Sequence, residues 1–328
     1  MRRRIWELIF CAVCLAMCGQ VRAEVAGHPD ASGNTDGIAA DVFGWGNVGS
    51  VNGASGVYLG NGWVLTVDHL GYPSGITLDS ITNNMLVSTT YDVDRPAIQL
   101  RNPYDPNDPQ DSNALADLQL FHVKDAPTNL PTLNIASSSP TAGTSFTAIG
   151  FGDAAVGPVQ YYNQAWQNVG SPDQATYGGY AEGDRYFEHW ATNQTVNVGP
   201  DGFADSGPDG VTIAYVNVGP GNTLDFFSQF YSGLSEYVNE PQLSESQVGG
   251  GDSGGAVFDQ FGNLIGISEG IMGLTGQPDE TAAFGDMSAY VDLAPYRQEI
   301  LANMPEPASV SILAIGAAYG LTRRGRRR

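Results

Sequence analysis

Gly56-Val57-Tyr58-Leu59-Gly60-Asn61-Gly62-Trp63-Val64-Leu65-Thr66-Val67-Asp68-His69 is the stretch on which the fold turns. Two short runs of β-branched, aromatic and aliphatic residues flank Gly60-Asn61-Gly62. Asn-Gly tolerates the positive φ angles of the tight turns that reverse a strand, so the stretch reads as a β-hairpin. Ser145-Phe146-Thr147-Ala148-Ile149, Val211-Thr212-Ile213-Ala214-Tyr215-Val216 and Thr223-Leu224-Asp225-Phe226-Phe227 read as further strands. Ala256-Val257-Phe258 and Leu264-Ile265-Gly266-Ile267 flank a loop containing Gly262-Asn263, a second hairpin. With 42 glycines and 19 prolines the chain favours frequent turns over long helices. One helix is expected late, around residues 291–304, where Leu293, Tyr296, Ile300 and Leu301 recur at helical spacing. Short strands between turn residues point to an all-β sandwich or barrel, and no internal repeat is evident.

Three short motifs carry chemistry-bearing residues. Gly249-Gly250-Gly251-Asp252-Ser253-Gly254-Gly255-Ala256 sets a serine among glycines. Serine is a weak nucleophile unless its hydroxyl is exposed, activated and close to donors for an oxyanion. Flanking glycines let the backbone turn tightly and approach a substrate. An ordinary glycine-serine turn is the alternative, but even alone the run favours chemistry, since it is not a phosphate-binding G-x-x-x-x-G-K-[ST] loop. His69 follows the strand ending in Thr66-Val67-Asp68, and a lone histidine there reads as structural. Asp117 opens Asp117-Leu118-Gln119-Leu120-Phe121, in which Leu118 and Leu120 share one face; by itself it is a strand-initiating surface acid.

Together they read differently. His69, Asp117 and Ser253 occur in that order, each at a strand end in an all-β chain, and the combination resembles the chymotrypsin-like (trypsin-family) serine proteases. Thr66-Val67-Asp68-His69-Leu70 is similar to the family's T-A-A-H-C block. Asp117-Leu118-Gln119-Leu120 is similar to its D-I-x-L block, with Pro103-Tyr104 on the approach strand. Gly251-Asp252-Ser253-Gly254-Gly255 matches the serine block, with Ala256 in place of the usual proline. Gly266-Ile267-Ser268-Glu269-Gly270 resembles the wall of the specificity pocket, and Ala289-Tyr290-Val291-Asp292 the entry to the C-terminal helix.

The resemblance covers about residues 25–302 and implies two antiparallel six-stranded β-barrels with a short C-terminal helix. It implies a serine endopeptidase in which Ser253 attacks the carbonyl, His69 acts as base and then acid, and Asp117 orients His69. The backbone N–H groups of Gly251 and Ser253 would form the oxyanion hole. Gln247, Ser268 and Gly270 would line the substrate pocket, Ser268 also lying behind Asp117. No metal or organic cofactor is implied. Two alternatives stand beside this reading: a catalytically silent binding or matrix protein on the same fold, and an esterase using the same triad.

The departures are informative. Leu70 stands where the family's histidine loop carries a cysteine, and Asp68 where a small apolar residue is usual. A carboxylate facing the imidazole favours its charged form and would raise the pKa of His69. Gln247, six positions before Ser253, replaces the acidic pocket floor that selects Arg or Lys; Glu269 is an acid nearby whose orientation the sequence leaves open. Asp252 in the family pairs with an N-terminus freed by zymogen cleavage, and Val25-Ala26-Gly27 is a faint counterpart of the family's I-V-G-G start, 44 residues before His69. The 136 residues from Asp117 to Ser253 exceed the compact family spacing, so residues 153–210 are expected as surface loops. Tyr161, Tyr162, Trp166, Tyr177, Tyr180, Tyr186, Phe187 and Trp190 in that region suit ordinary packing or a carbohydrate platform. The oxygen-rich stretch 201–210 and the cluster Asp105, Asp108 and Asp111 are candidates for calcium or plain solvated loops; neither has EF-hand spacing. Four histidines without H-E-x-x-H speak against a zinc hydrolase.

The 328 residues include 14 basic and 35 acidic side chains, a net charge of −21. Nine of the basic residues lie at the ends: Arg2, Arg3, Arg4, Arg22, Arg323, Arg324, Arg326, Arg327 and Arg328. Residues 24–304 carry five basic against 33 acidic side chains, a net charge of −28. Such a body is unsuited to nucleic-acid phosphates and favours solubility outside the cell; the protease resemblance implies a monomer acting on protein or peptide substrates. Residues 1–23 combine a positive start, an apolar run and Val21-Arg22-Ala23, the pattern of a secretory signal peptide. Cys11, Cys14 and Cys18, the only cysteines, all lie there. Residues 24–304 form the protease-like domain. Residues 305–328, with Pro305-Glu306-Pro307, 14 apolar-biased residues and an arginine cluster, resemble the PEP-CTERM sorting signal of Gram-negative bacteria. That resemblance implies signal peptidase and an exosortase as processing partners. The precursor would lie transiently in the inner membrane, and the mature form would be secreted or held at the cell surface. A permanent tail anchor is the alternative for the same run.

Overall fold

The computed structural model describes residues 25–26, 42–82, 85–103, 114–183, 188–199, 210–218, 221–230 and 246–304. The expected signal segment and sorting signal, Tyr104, the cluster Asp105, Asp108 and Asp111, and the acidic stretch 201–209 lie outside the described residues.

A short strand, β1 (Val25–Ala26), precedes the first half. There β2 (Val48–Val51), β3 (Ala54–Gly60), β4 (Trp63–Thr66), β5 (Gly75–Thr82), β6 (Met85–Arg101) and β7 (Leu115–Val123) close into a barrel in the order β2-β3-β4-β7-β6-β5. The opening hairpin is β3-β4. Asn61 and Gly62 both take positive φ, 52° and 85°, which matches the turn's twist to that of the paired strands. Beyond β4 the chain makes a single 3-10 turn, Asp68–Leu70, so His69 sits just past a strand end.

The second half contains β8 (Ser145–Gly150), β9 (Ala154–Tyr162), β10 (Tyr177–Gly183), β11 (His189–Gln194), β12 (Ile213–Val218), β13 (Gly221–Gln229), β14 (Ser246–Gln247), β15 (Ala256–Asp259), β16 (Leu264–Met272), β17 (Thr281–Ala283) and β18 (Met287–Asp292). Seven of these form an antiparallel sheet in the order β11-β8-β15-β16-β18-β13-β12. Just past β11, Val196 N–H donates to the Phe227 carbonyl of β13 at 2.9 Å, an antiparallel bridge. That bridge brings β11, β8, β15, β16, β18 and β13 round into a second six-membered ring, with β12 appended on β13. The architecture is thus the two-barrel, chymotrypsin-like one.

The expectation of surface loops over 153–210 needs correcting. β9 and β10 form a three-stranded sheet with β17, and β11 is a barrel strand. The aromatics of this region supply the packing: Tyr180 meets Phe230 and Phe284, while Trp166 lies flat on Tyr177 at 4.2 Å.

β3, β4 and β18 bury both faces, which is why they read as continuous apolar runs. Tyr58, Val64 and Phe121 point into the first barrel with Val51, Ile76 and Leu78. Their neighbours Val57, Leu59, Trp63, Leu65 and Leu120 join a second cluster with Ile149, Ala256, Phe258 and Ile267 of the other half. Phe146, Val257, Ile265 and Tyr290 fill the second barrel. Burying each large apolar side chain stabilises the fold by about 1.5–3 kcal/mol, so the seam is as much core as either interior.

The helix α1 (Leu293–Asn303) closes the described chain, capped by the Asp292 carboxylate, which accepts from Ala294 N–H at 3.1 Å. Leu293, Tyr296 and Ile300 are buried; Leu301, expected on the same face, is exposed. Tyr296 ties the halves together, donating to Asn102 Oδ1 at 2.6 Å and accepting from Leu224 N–H at 3.0 Å.

Two glycines at similar positive φ separate turn strain from crowding. A Cβ at Gly143 (φ +82°) meets nothing within 4 Å, whereas one at Gly254 (φ +89°) would lie 2.1 Å from the Ser55 carbonyl and 2.2 Å from Thr66 Oγ1. In urea denaturation, Gly143→Ala is expected to destabilise by about 1–2 kcal/mol, the left-handed backbone cost alone. Gly254→Ala should cost more than about 3 kcal/mol.

Candidate active site

Asp117 is fully buried in β7, and both its carboxylate oxygens engage His69. Oδ2 lies 2.5 Å from Nδ1, and Oδ1 accepts the His69 backbone N–H at 2.6 Å. A carboxylate at Nδ1 fixes that nitrogen as the protonated one and leaves Nε2 as the proton acceptor. Gln119, two residues along β7, donates through Nε2 to the carbonyls of Val67 and Gly71 at 3.0 and 2.9 Å. The turn bearing His69 is therefore stitched to the strand bearing Asp117 on both sides of the imidazole.

The glycine-rich run is held just as closely. Asp252 Oδ2 accepts from Gly249 N–H at 3.0 Å, and Gly254 N–H donates to the Ser268 carbonyl at 2.8 Å. Ser55, on β3 of the other barrel, donates from its N–H to the Ser253 carbonyl at 3.0 Å and from Oγ to the Gly251 carbonyl at 2.8 Å. Its Oγ accepts from Phe151 N–H at 3.0 Å, while its carbonyl accepts from Thr66 Oγ1 at 2.7 Å. Thr66 is three residues before His69, so the serine turn and the histidine turn share one anchor. The Ser253 hydroxyl donates to the Glu269 carbonyl at 3.4 Å; among the described residues no hydrogen bond joins it to His69.

The remaining candidates divide. Gln247 is buried on β14, opposite Val25 of β1, with its amide beside the Asp286 carboxyl. Gly270 lies on β16, next to the bulge at Glu269. Ser268 is buried, and its hydroxyl has no hydrogen-bond partner among the described residues. The contact expected from it on Asp117 comes instead from Thr223 Oγ1, which accepts the Asp117 N–H at 3.0 Å. Glu269, weighed as an acid for the pocket, is turned into the interior. Sequence reasoning missed Ser55, Thr66, Thr223, Asp225 and Asp286. Their one signal is a short polar residue inside an apolar strand or at its edge.

Electrostatics follow burial. Burial pushes the His69 imidazole down, but the Asp117 hydrogen bond and charge raise it, as do Glu269 when ionised and Asp68; the net effect lies above the ordinary value of 6.5. Stability from the imidazolium–Asp117 pair is thus fully present below about pH 6.5 and is lost as pH rises through the raised folded-state value. Asp68 is raised by burial and then by Asp117, with His69 opposing. Burial raises Asp286 to about 6 despite hydrogen bonds from Gln277, Ala283 and Leu274. No group of three or more His, Cys, Asp or Glu side chains among the described residues is arranged to hold a metal.

No protein-family model matches the chain, nor does any curated protein sequence. Among solved structures it is similar to neuropsin, a serine protease expressed in the limbic system of mouse brain, at 16% identity and a TM-score of 0.43, over 77% of this chain and 89% of that one. It is also similar to a mutant of human heparin binding protein (CAP37), at 15% identity and a TM-score of 0.43, over 80% of this chain and 93% of that one. A third is an inactive serine-to-alanine mutant of Rv3671c from M. tuberculosis H37Rv, at 14% identity and a TM-score of 0.39, over 86% of this chain and 98% of that one. Likeness at this level assigns no residue and no activity; the fold is read from the strand order and barrel closure.

Because Asp117 outranks Asp68 among the groups that raise His69, their removal should act in proportion. Titration of the His69 ring by NMR is expected to show a lower pKa in Asp68→Ala and a still lower one in Asp117→Asn. An unchanged value in Asp68→Ala would reject the part given to Asp68.

Proposed function

We propose that the chain is a serine hydrolase, and specifically an endopeptidase. The observation that carries this reading is the two-point clamp of Asp117 on His69, at a seam where Ser55 pins the glycine-rich turn of Ser253 against the same barrel. Ser253 Oγ attacks a carbonyl carbon as His69 Nε2 takes its proton, giving a tetrahedral oxyanion. His69 then protonates the leaving amine, and an acyl-enzyme remains for water to hydrolyse by the same steps. Asp117 holds the imidazole and stabilises its charged form. The backbone N–H groups of Gly251 and Ser253 receive the oxyanion, a role worth about 3–4 kcal/mol per donor. Gly270 and Ser268 contribute to the wall of the substrate pocket, and Gln247 to its floor. The chemistry uses no metal or organic cofactor, and protein or peptide substrates suit the cleft.

The reading extends to the chain ends. Residues 1–23 direct export and are removed by signal peptidase. Residues 305–328 hold the precursor at the inner membrane of a Gram-negative bacterium until an exosortase cuts near Pro305-Glu306-Pro307. The mature form is then secreted or held at the cell surface. Intact mass of the exported protein should lack both end segments; a retained tail identifies a permanent anchor instead.

One observation favours a second reading, a silent binding protein: the Ser253 hydroxyl is directed to the Glu269 carbonyl. Labelling with a fluorophosphonate separates the two. The endopeptidase reading expects one label per chain, absent from Ser253→Ala, with peptide hydrolysis in that variant reduced by about 10⁴-fold or more. Equal labelling of the variant, or none of the folded wild type, sinks it. Cleavage of simple esters without peptides would mark an esterase.

A further inference from the structure

A cavity of about 390 Å³ opens where three elements meet: the link that carries the chain from β7 to β8, the turn between β15 and β16, and α1. None of its lining residues holds His69, Asp117 or Ser253 in place. Ile135 and Ile265, both buried, give it an apolar part, but most of the lining is polar. Arg297, in the second turn of α1, is the cation among these residues. Its Nε donates to the Ile135 carbonyl at 3.0 Å, which holds the guanidinium against the link. Among the described residues no carboxylate pairs with Arg297, and its Nη groups have no hydrogen-bond partner. Arg95 and Lys124, by contrast, pair with Asp94 and Asp92. A body with five basic and 33 acidic side chains has thus left one guanidinium facing a cavity without an acid of its own.

The other walls are fixed by their own hydrogen bonds. Asp259, which also lines the cavity, spends its carboxylate on the N–H groups of Phe261 and Asn263, at 2.9 and 2.8 Å, and on Asn263 Nδ2 at 2.7 Å. Asn263 Oδ1 accepts from Asn134 Nδ2 at 2.6 Å. This train commits the Asn134 amide nitrogen and leaves its Oδ1 as an acceptor. At the far end of the link, Thr144 Oγ1 accepts from Thr141 N–H at 3.2 Å, and Thr144 N–H donates to Thr195 Oγ1 at 3.0 Å. Between these anchors the hydroxyls of Ser137 and Ser138 make no hydrogen bond among the described residues, so each is ready to donate or accept.

The N–H donors that Arg297 has left form the planar fork that grips a carboxylate through both oxygens. Asn134 Oδ1 and the two serines complement hydroxyl groups. We infer that the cavity binds a small hydroxylated carboxylate, of the size of a sugar acid, with its carboxylate on Arg297 and its hydroxyls on Asn134, Ser137 and Ser138. The volume sits at the small end of ligand pockets, roughly 300–1,000 Å³, which is room for a molecule rather than a bare ion. The acidic body repels anions at long range, but salt screens that repulsion beyond about 8 Å at physiological ionic strength. Inside that distance Arg297 has hydrogen bonds to give, while the Asp259 oxygens are already engaged. A ligand seated there touches both the link and α1, so it stabilises the folded chain on binding. The site is independent of the hydrolase reading.

The test titrates the full-length chain by calorimetry with D-glucuronate, which has both groups. Glucose supplies hydroxyls without the charge, acetate the carboxylate without the hydroxyls, and sulfate a plain anion. Glucuronate is expected to bind at least about tenfold more tightly than any of the three. Arg297→Gln should weaken it by about 10- to 100-fold, the loss of charged hydrogen bonds, and leave labelling of Ser253 unchanged. Arg297→Lys, which keeps the charge and loses the fork, should fall between. Ser138→Ala should weaken glucuronate and leave acetate as it was. Because Arg297→Gln also loses the bond to Ile135, urea denaturation without ligand checks that both Arg297 variants are folded. No binding of glucuronate by wild type, equal affinity for glucuronate and sulfate, or wild-type affinity in both Arg297 variants overturns the assignment.

Discussion

Ser55 holds the two halves in the one relation that lets the candidate site exist. It belongs to β3, yet its N–H, Oγ and carbonyl all serve the seam: the first two bind the Ser253 and Gly251 carbonyls, and the third receives Thr66. All of this is buried, where each unmade polar contact costs about 1–3 kcal/mol. A hydroxyl satisfied as both donor and acceptor at such a place is a strong geometric constraint, because rotating it loses two partners at once. Gly254, with no room for a Cβ against the Ser55 carbonyl and Thr66, shows how close the two backbones come. The apolar cluster of Val57, Leu65, Leu120, Ile149, Ala256 and Ile267 supplies the adhesion, but it is the polar clasp that fixes the register between the serine and histidine turns.

The electrostatic character of the site follows from the same closeness. An unusually acidic body has put several carboxyls inside: Asp117, Asp225, Asp252, Glu269, Asp286 and Asp292 are all fully or nearly fully buried. They are handled by several devices. Asp117 gives both oxygens to His69, Asp252 and Asp292 take backbone N–H groups, and Asp286 gathers the amide of Gln277 with two backbone donors. The Asp225 and Glu269 carboxyls find no hydrogen-bond partner among the described residues, and burial pushes both up towards the neutral form. The acidity that suits the exterior to solubility thus has an interior counterpart, in which carboxyls act as hydrogen-bonding struts.

Much of the fold was legible because its signals are local. Asn61-Gly62 takes the positive φ angles that its residue types favour, and Asp292 caps the helix whose apolar spacing announced it. The glycine-rich turn around Ser253 contains the left-handed backbone at Gly251 and Gly254 that only glycine adopts freely. Where reading failed, the decisive contact was remote. Residues 153–210 have the glycine and aspartate content of loops, but β10 pairs with β17 and Tyr180 packs on Phe284, about a hundred positions on, which makes the segment part of a sheet. Leu301 reads with Leu293 and Ile300 and is exposed, because adjacent residues point about 100° apart round a helix and Ile300 already takes the buried face.

The sequence by itself determined the strands and turns, the order of His69, Asp117 and Ser253, and the glycines that allow the serine turn, since each depends on neighbours within a few positions. Tertiary structure alone decided which polar residues support them. Ser55 meets Gly251 across 196 positions, and Asp117 meets Thr223 across 106. A buried serine, threonine or glutamate looks no different in the sequence from one on the surface. What separates them is the absence of water around the group, and only the closing of the two barrels produces that.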